Sequence, residues 1–373
     1  MKKNSEQGTV NSEQGTGLVV SIAGCQQTWI ANNNPRSLIL LIIISVVLVF
    51  NACYLTITPV HPSPAAFRQA ESPFLNGQQR ISGMATDGTN VVAVSYEGTI
   101  AFSRDYGENW QTAPLVYNAF SDGIRFNTVT WGEGYFLAGG DFGRAAWSRD
   151  GEVWHAGVIG PMSPKNIYAL SVGIMKTQLV FVAAGADGRI AYALNSPDGP
   201  WIQVLASPFG NKDGEGESVN ALVFGRIKGA GIFVAAGDNG NIAVMNDFSG
   251  KFSGPSAAGT RETLRGLGFG DDRFIVVGDS AVMKISADPE SYSWTTIRER
   301  DFGLRPFLNI DYYPLMEFFV LIAEDSAVGF SKNGESWSAT TFASHFTNGI
   351  SAIACTRKKI VLGGADGVIV YSN

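Results

Sequence analysis

The chain has 373 residues, 45% apolar and only 16% charged, with 44 glycines and a formal net charge of −6. That mildly acidic balance argues against nucleic acid as a partner, because phosphate recognition demands a basic footprint. Three cysteines without a CxxC pair, and three histidines (His61, His155, His345) without ligand spacing, give no disulfide framework and no metal site; no cofactor-binding loop is readable.

In chain order, residues 1–37 form a polar N-terminal extension in which NSEQGT occurs at 4–9 and again at 11–16, the pattern of a mis-assigned start or a local duplication. Residues 38–53 are predicted to be a signal or anchor segment. LILLIIISVVLVF at 38–50 follows Arg36 and suits a secretory apolar core better than a spanning helix of about 20 residues. It runs into Phe50-Asn51-Ala52-Cys53, which resembles a bacterial lipobox. The resemblance implies lipidation at Cys53 and a membrane-anchored, extracytoplasmic location in the cell envelope. The alternatives are an uncleaved anchor and a cleaved, secreted chain. Residues 54–75 read as a proline-rich linker, and residues 76–373 as one folded domain.

Seven copies of one phrase fill that domain: strand, glycine turn, strand, then a turn that in most copies is closed by tryptophan. Aligned on the first turn, the register residues are Gly98, Gly143, Gly188, Gly240, Ser280, Ser326 and Gly367, about 45 residues apart. A period of roughly 40–50 residues with four short strands per copy predicts an all-β, seven-bladed propeller of four-stranded antiparallel blades. In the second copy NTVTW, YFLAGG, RAAWS and the stretch after Trp154 are the four strands. The last copy ends at Asn373 after its third strand. A segment at about 67–79 is therefore expected to supply the fourth, leaving no open sheet edge and giving a monomeric domain.

The turns after the third strands share a second pattern. Ser103-x-Asp105-x-Gly107-x-x-Trp110, Ser148-x-Asp150-Gly151-x-x-Trp154 and Ser196-x-Asp198-Gly199-x-Trp201 are the clearest; Ser286-x-Asp288 leading to Trp294 and Ser331-x-Asn333-Gly334-x-x-Trp337 are looser. These turns resemble the Asp-box, or BNR repeat, of sialidases and of the photosystem II assembly-factor-like propellers, and the resemblance spans 81–373. The residue chemistry is structural: the carboxylate accepts turn N–H groups, glycine takes the positive φ, and tryptophan packs between sheets.

A candidate site lies on the opposite face. Each turn between second and third strands carries a carboxylate: Glu97, Asp141, Asp187, Asp238, Asp279, Asp325 and Asp366. Five innermost strands begin near asparagine: Asn127, Asn166, Asn220, Asn309 and Asn348. Both sets face one mouth of the central channel, where acids attract a cation or basic segment and amides hydrogen-bond a peptide or sugar. The bland alternative is that Asp-Gly and Asn-Gly are ordinary hairpin residues. Arg80, Arg125, Arg265 and Arg305 lie near the same entry, but no Arg-Ile-Pro motif and no assignable Tyr–Glu pair accompanies them. The expected function is thus a non-catalytic scaffold binding protein or glycan in the cell envelope; the alternative is an Asp-box glycoside hydrolase, sialidase-like or using paired carboxylates.

Overall fold

The structure is a computed structural model that describes residues 18–22, 28–31, 55–59 and 62–373, except 78, 118–119, 121, 206, 211–215, 248–251, 258 and 300. It comprises two compact units, Met1–Phe67 with Asn373, and Arg68–Ser372. In the first, Leu18–Ile22 pairs antiparallel with Thr28–Ala31 on one side and Leu55–Pro59 on the other. The expected signal segment at 38–53, with Cys53, lies outside the described residues. Among the described residues no helix is long and apolar enough to cross a membrane.

The second unit is a seven-bladed β-propeller, as the repeat predicts. Its innermost strands are Ile81–Thr86, Phe126–Gly132, Ile167–Met175, Val219–Ile227, Leu264–Gly270, Phe307–Tyr313 and Ile350–Cys355. The strands next to them, such as Val91–Ser95, Tyr135–Gly140 and Phe318–Ala323, are buried along their whole length. A neighbouring blade covers each face of such a strand, so its sequence is a continuous apolar run and not an alternating one. The seventh sheet takes its outermost strand, Phe67–Gln69, from ahead of the first blade. The Ala70 N–H donates to the Ile369 carbonyl at 2.9 Å, and Phe74 is fully buried beside blades 7 and 1.

Two details depart from the expected pattern. Blade 2 has a fifth strand, Leu115–Tyr117, running parallel to Trp154–Val158. The outer strand of blade 1 is only Gln111–Thr112, and the chain beyond it lies along the neighbouring edge, where Pro114 O accepts the Trp154 N–H at 3.3 Å. Backbone groups that would otherwise stand open are thereby partly covered. The turn alignment also slips by one residue in blade 5: the position of Gly143, Gly188, Gly240 and Ser326 is held by Ala281, not Ser280.

The turns with tryptophan tie each blade to the one before it. In blade 2, Ser148 Oγ donates to Asp150 Oδ1 (2.9 Å) and accepts the Gly151 N–H (2.9 Å). Asp150 Oδ1 also accepts the N–H groups of Glu152 (2.9 Å) and Val153 (3.1 Å), and Trp154 Nε1 donates to Gly151 O (2.7 Å). Ser103, Asp105 and Trp110 repeat this scheme, as do Ser331, Asn333 and Trp337. Hydrogen bonding outweighs burial at Asp105 and Asp150, and both carboxyls are held below the usual range. Gly151 sits at φ 81°, and a Cβ there would meet Val92 of blade 1 at 2.8 Å, so both backbone and packing require glycine.

Trp154 packs with Val92, Val94 and Phe102 of blade 1, Trp110 against blade 7, Trp201 against blade 2 and Trp337 against blade 5. The looser turns are less complete. At Asp198 and Asp288 the backbone N–H donates to Ser196 (3.2 Å) and Ser286 (3.1 Å), and the Asp288 carbonyl accepts the Ser291 hydroxyl (2.9 Å); among the described residues no turn N–H bonds either carboxylate. Trp201 Nε1 reaches Pro197 O (3.0 Å), whereas Trp294 Nε1 is buried without a partner among the described residues. Blade 4 has no such tryptophan; Phe252 packs toward blade 3.

Candidate functional site at the channel mouth

Each innermost strand carries a bulge at its second residue. The register slips at Ser82, Asn127, Tyr168, Asn220, Arg265, Leu308 and Ser351, one per blade. A bulge re-aims a side chain out of the pleat, and all seven line one cavity of about 730 Å³ at the mouth of the channel. Arg80, Tyr96, Asn348, Ile350 and Ala365 complete its wall.

Four of the seven bulge side chains cross to the next blade. Ser82 Oγ donates to Phe126 O (2.7 Å), Asn127 Nδ2 to Ile167 O (3.2 Å), Asn220 Nδ2 to Leu264 O (3.2 Å) and Ser351 Oγ to Ile81 O (2.6 Å). The acceptor is in every case the first residue of the next innermost strand, and Ser351 closes the ring from blade 7 to blade 1. Such bonds to backbone carbonyls contribute about 0.5–1.5 kcal/mol each. Tyr168, Arg265 and Leu308 make no such link, and their side chains are the ones left to the cavity.

The seven predicted carboxylates are not equivalent. Asp141, Asp238 and Asp279 hold the first position of their turns, and Asp187 and Asp325 the second, which is left-handed. The first set turns back onto its own blade: Asn127 Nδ2 donates to Asp141 (3.0 Å), Asn220 Nδ2 to Asp238 (2.9 Å), and Arg265 to both oxygens of Asp279 (2.5 and 2.9 Å). Asp187 pairs with Lys165, Asp325 with Arg305 (3.2 Å), and Asp366 accepts the Thr347 N–H (3.1 Å). Glu97 is exposed. Among the described residues no carboxylate lines the cavity.

Among the asparagines, Asn127, Asn220 and Asn348 line it. Asn166 lies outside the wall, its Oδ1 accepting the Phe142 N–H (3.2 Å), and Asn309 Oδ1 accepts the adjacent Ile310 N–H (2.8 Å). Sequence reasoning missed Ser82, Tyr168, Leu308 and Ser351. The signal was an apolar residue, a variable residue, then usually a small one at each strand start: Ile-Ser-Gly, Ile-Tyr-Ala, Ile-Ser-Ala. Among the described residues no group of His, Cys, Asp or Glu is placed to hold a metal ion. A smaller cavity of about 300 Å³ lies at the far ends of blades 2–4, beside Trp131 and Phe224, with Glu133 paired to Arg226 at 3.8 Å.

No protein-family model matches the chain, and no curated protein matches it. Solved structures do. YCF48 from Cyanidioschyzon merolae superposes with a TM-score of 0.60 at 14% identity, over 82% of this chain and 98% of that one. A structure of YCF48 bound to D1 peptide gives 0.61 at 16%, over 82% and 94%. The WD40 β-propeller domain of Doa1 gives 0.60 at 15%, over 82% and 95%. Identities this low carry the architecture and nothing finer: what this chain shares with them is the propeller fold.

Proposed function

We propose that the propeller is a non-catalytic scaffold that binds a protein partner at the channel mouth. The observation that carries this reading is the ring of bulge residues, in which four side chains fasten neighbouring blades and Tyr168, Leu308 and the ion-paired Arg265 face the cavity. An aromatic ring and a guanidinium on a rigid rim are anchors that protein recognition favours, and Leu308 adds apolar area beside them. A similar fold has been solved bound to a peptide, which supports protein binding without indicating the face. The tryptophan turns are read as Asp-box repeats that serve packing.

Replacing Tyr168 and Leu308 together by serine should weaken partner binding at least tenfold while moving Tm little, since neither side chain fastens blades. Binding that survives in the double variant would exclude the mouth. Turnover of aryl-glycosides or sialosides, abolished by substituting a single turn carboxylate, would overturn the non-catalytic reading.

The apolar segment and Cys53 support placing this scaffold outside the cytoplasm, held to a membrane of the cell envelope by lipid. Labelled palmitate should enter the wild-type chain and not Cys53→Ala. A wild type that takes up no label and retains residues 38–52 would contradict the lipid anchor.

A further inference from the structure

We infer that Phe142 is an anchor of the partner site, seating an apolar side chain of an extended acidic peptide whose carboxylates meet Arg80 and Arg125. The inference rests on the protein-binding reading and deepens it.

The turns of blades 2 to 6 hold their middle residue in the left-handed region: Phe142 (φ 61°), Asp187 (56°), Asn239 (54°), Ser280 (53°) and Asp325 (58°). Short polar side chains tolerate this backbone because they bond locally; a bulky ring there is a conformational outlier. Such strain usually persists where burial repays it, yet Phe142 is 54% exposed. Its N–H is held by Asn166 Oδ1 and its ring lies 5.7 Å from the Arg144 guanidinium, which also stacks on Phe120 at 4.5 Å. The surroundings fix the ring in place without covering it. Strain held at an exposed rim position points to use.

The charge of the sector sets the partner's sign. Arg144 is balanced by Asp122 (3.0 Å), and Arg265 by Asp279. Among the described residues Arg80 and Arg125 make no salt bridge; Arg80 lines the mouth, and Arg125 lies over the exposed Tyr96 ring at 5.6 Å. Glu97, next to Tyr96, is exposed, and Asp122 interacts with Arg125 as well as with Arg144. The surface charges of the sector are thus three guanidiniums, Arg80, Arg125 and Arg144, against the carboxylates of Glu97 and Asp122, while Asp141 is buried beneath the Tyr96 hydroxyl (3.5 Å) and the Asn127 amide (3.0 Å). That surplus favours an anionic segment.

The test uses the full-length chain and fluorescent peptides of about twelve residues, composed of Glu/Leu/Gly, Lys/Leu/Gly or Ser/Leu/Gly, with phosphatidylglycerol vesicles as a separate arm. The wild type should bind the acidic peptide at least tenfold more tightly than the basic one. Phe142→Asn should raise Tm, because asparagine accepts the left-handed backbone, and yet weaken acidic-peptide binding at least tenfold. Phe142→Tyr should keep the binding. A lower Tm in Phe142→Asn would make the ring a packing residue and overturn the inference. Acidic-peptide binding lost in the Tyr168/Leu308 variant but kept in Phe142→Asn would overturn the anchor and leave the scaffold reading standing. A wild type that binds no peptide, or vesicles alone, would sink both.

Discussion

Replacing Trp154 by alanine should lower the stability of the propeller by about 3–5 kcal/mol, the range for deleting a large aromatic from a packed core. The ring is fully buried, its centroid 6.4 Å from that of Phe136, and it fills the wedge between blades 1 and 2. Alanine also removes the Nε1 donor from Gly151 O, which closes the turn. Trp294 provides the internal comparison. Among the described residues its buried Nε1 has no partner, and an unmet polar group of that kind costs about 1–3 kcal/mol. Trp294→Phe should therefore be neutral or stabilising. Denaturant midpoints at constant m-value distinguish the two; an unmoved midpoint in Trp154→Ala would mean that the blades do not depend on the wedge.

The second large effect concerns Asp311, on the innermost strand of blade 6. Its Oδ2 accepts the Cys355 N–H of blade 7 at 2.7 Å, and its Oδ1 accepts the Tyr312 N–H at 2.8 Å. Two such bonds favour the carboxylate, but loss of water outweighs them and pushes the carboxyl above its usual range. The sign follows from linkage. Below the usual aspartate value, about 3.9, folded and unfolded chains are both protonated and the contribution is fully present. As pH rises through the elevated folded value, the folded state must ionise a desolvated acid and stability is lost. Asp105 and Asp150, held low, act in the opposite sense and only at more acidic pH, while burial keeps the Cys355 thiol neutral well beyond this window. Wild-type stability should thus decline from about pH 4 toward neutrality, and Asp311→Asn should flatten that decline, at a lower level where the lost acceptor dominates. Parallel pH profiles for the two proteins would rule out Asp311 as the source.

Period and strand pattern made the fold legible because both are repeated seven times. Runs such as YFLAGG and FFVLIA announce a strand covered on both faces, and the missing fourth strand of the last copy announced the closing segment at Phe67–Gln69. The site was harder because its geometry turns on single residues. Asp141 and Asp187 both read as an acid beside a glycine, yet one position apart on the turn they face different neighbours. Likewise a bulge inserts one residue into a strand, a change too small to disturb a spacing of about 45, though it decides which side chain enters the channel. Leu115–Tyr117 was illegible for another reason: three residues in a connecting stretch carry no periodicity.

The bulge ring has a consequence for how a ligand is oriented. A propeller with seven identical rim positions would accept an asymmetric ligand in seven rotated poses, and a partner that must be presented in one of them would forfeit RT ln 7, about 1.1 kcal/mol, to that degeneracy. With tyrosine, arginine and leucine at the bulge positions of blades 3, 5 and 6 and small polar residues at those of blades 1, 2, 4 and 7, no rotation maps the ring onto itself. A ligand meeting it has one heading.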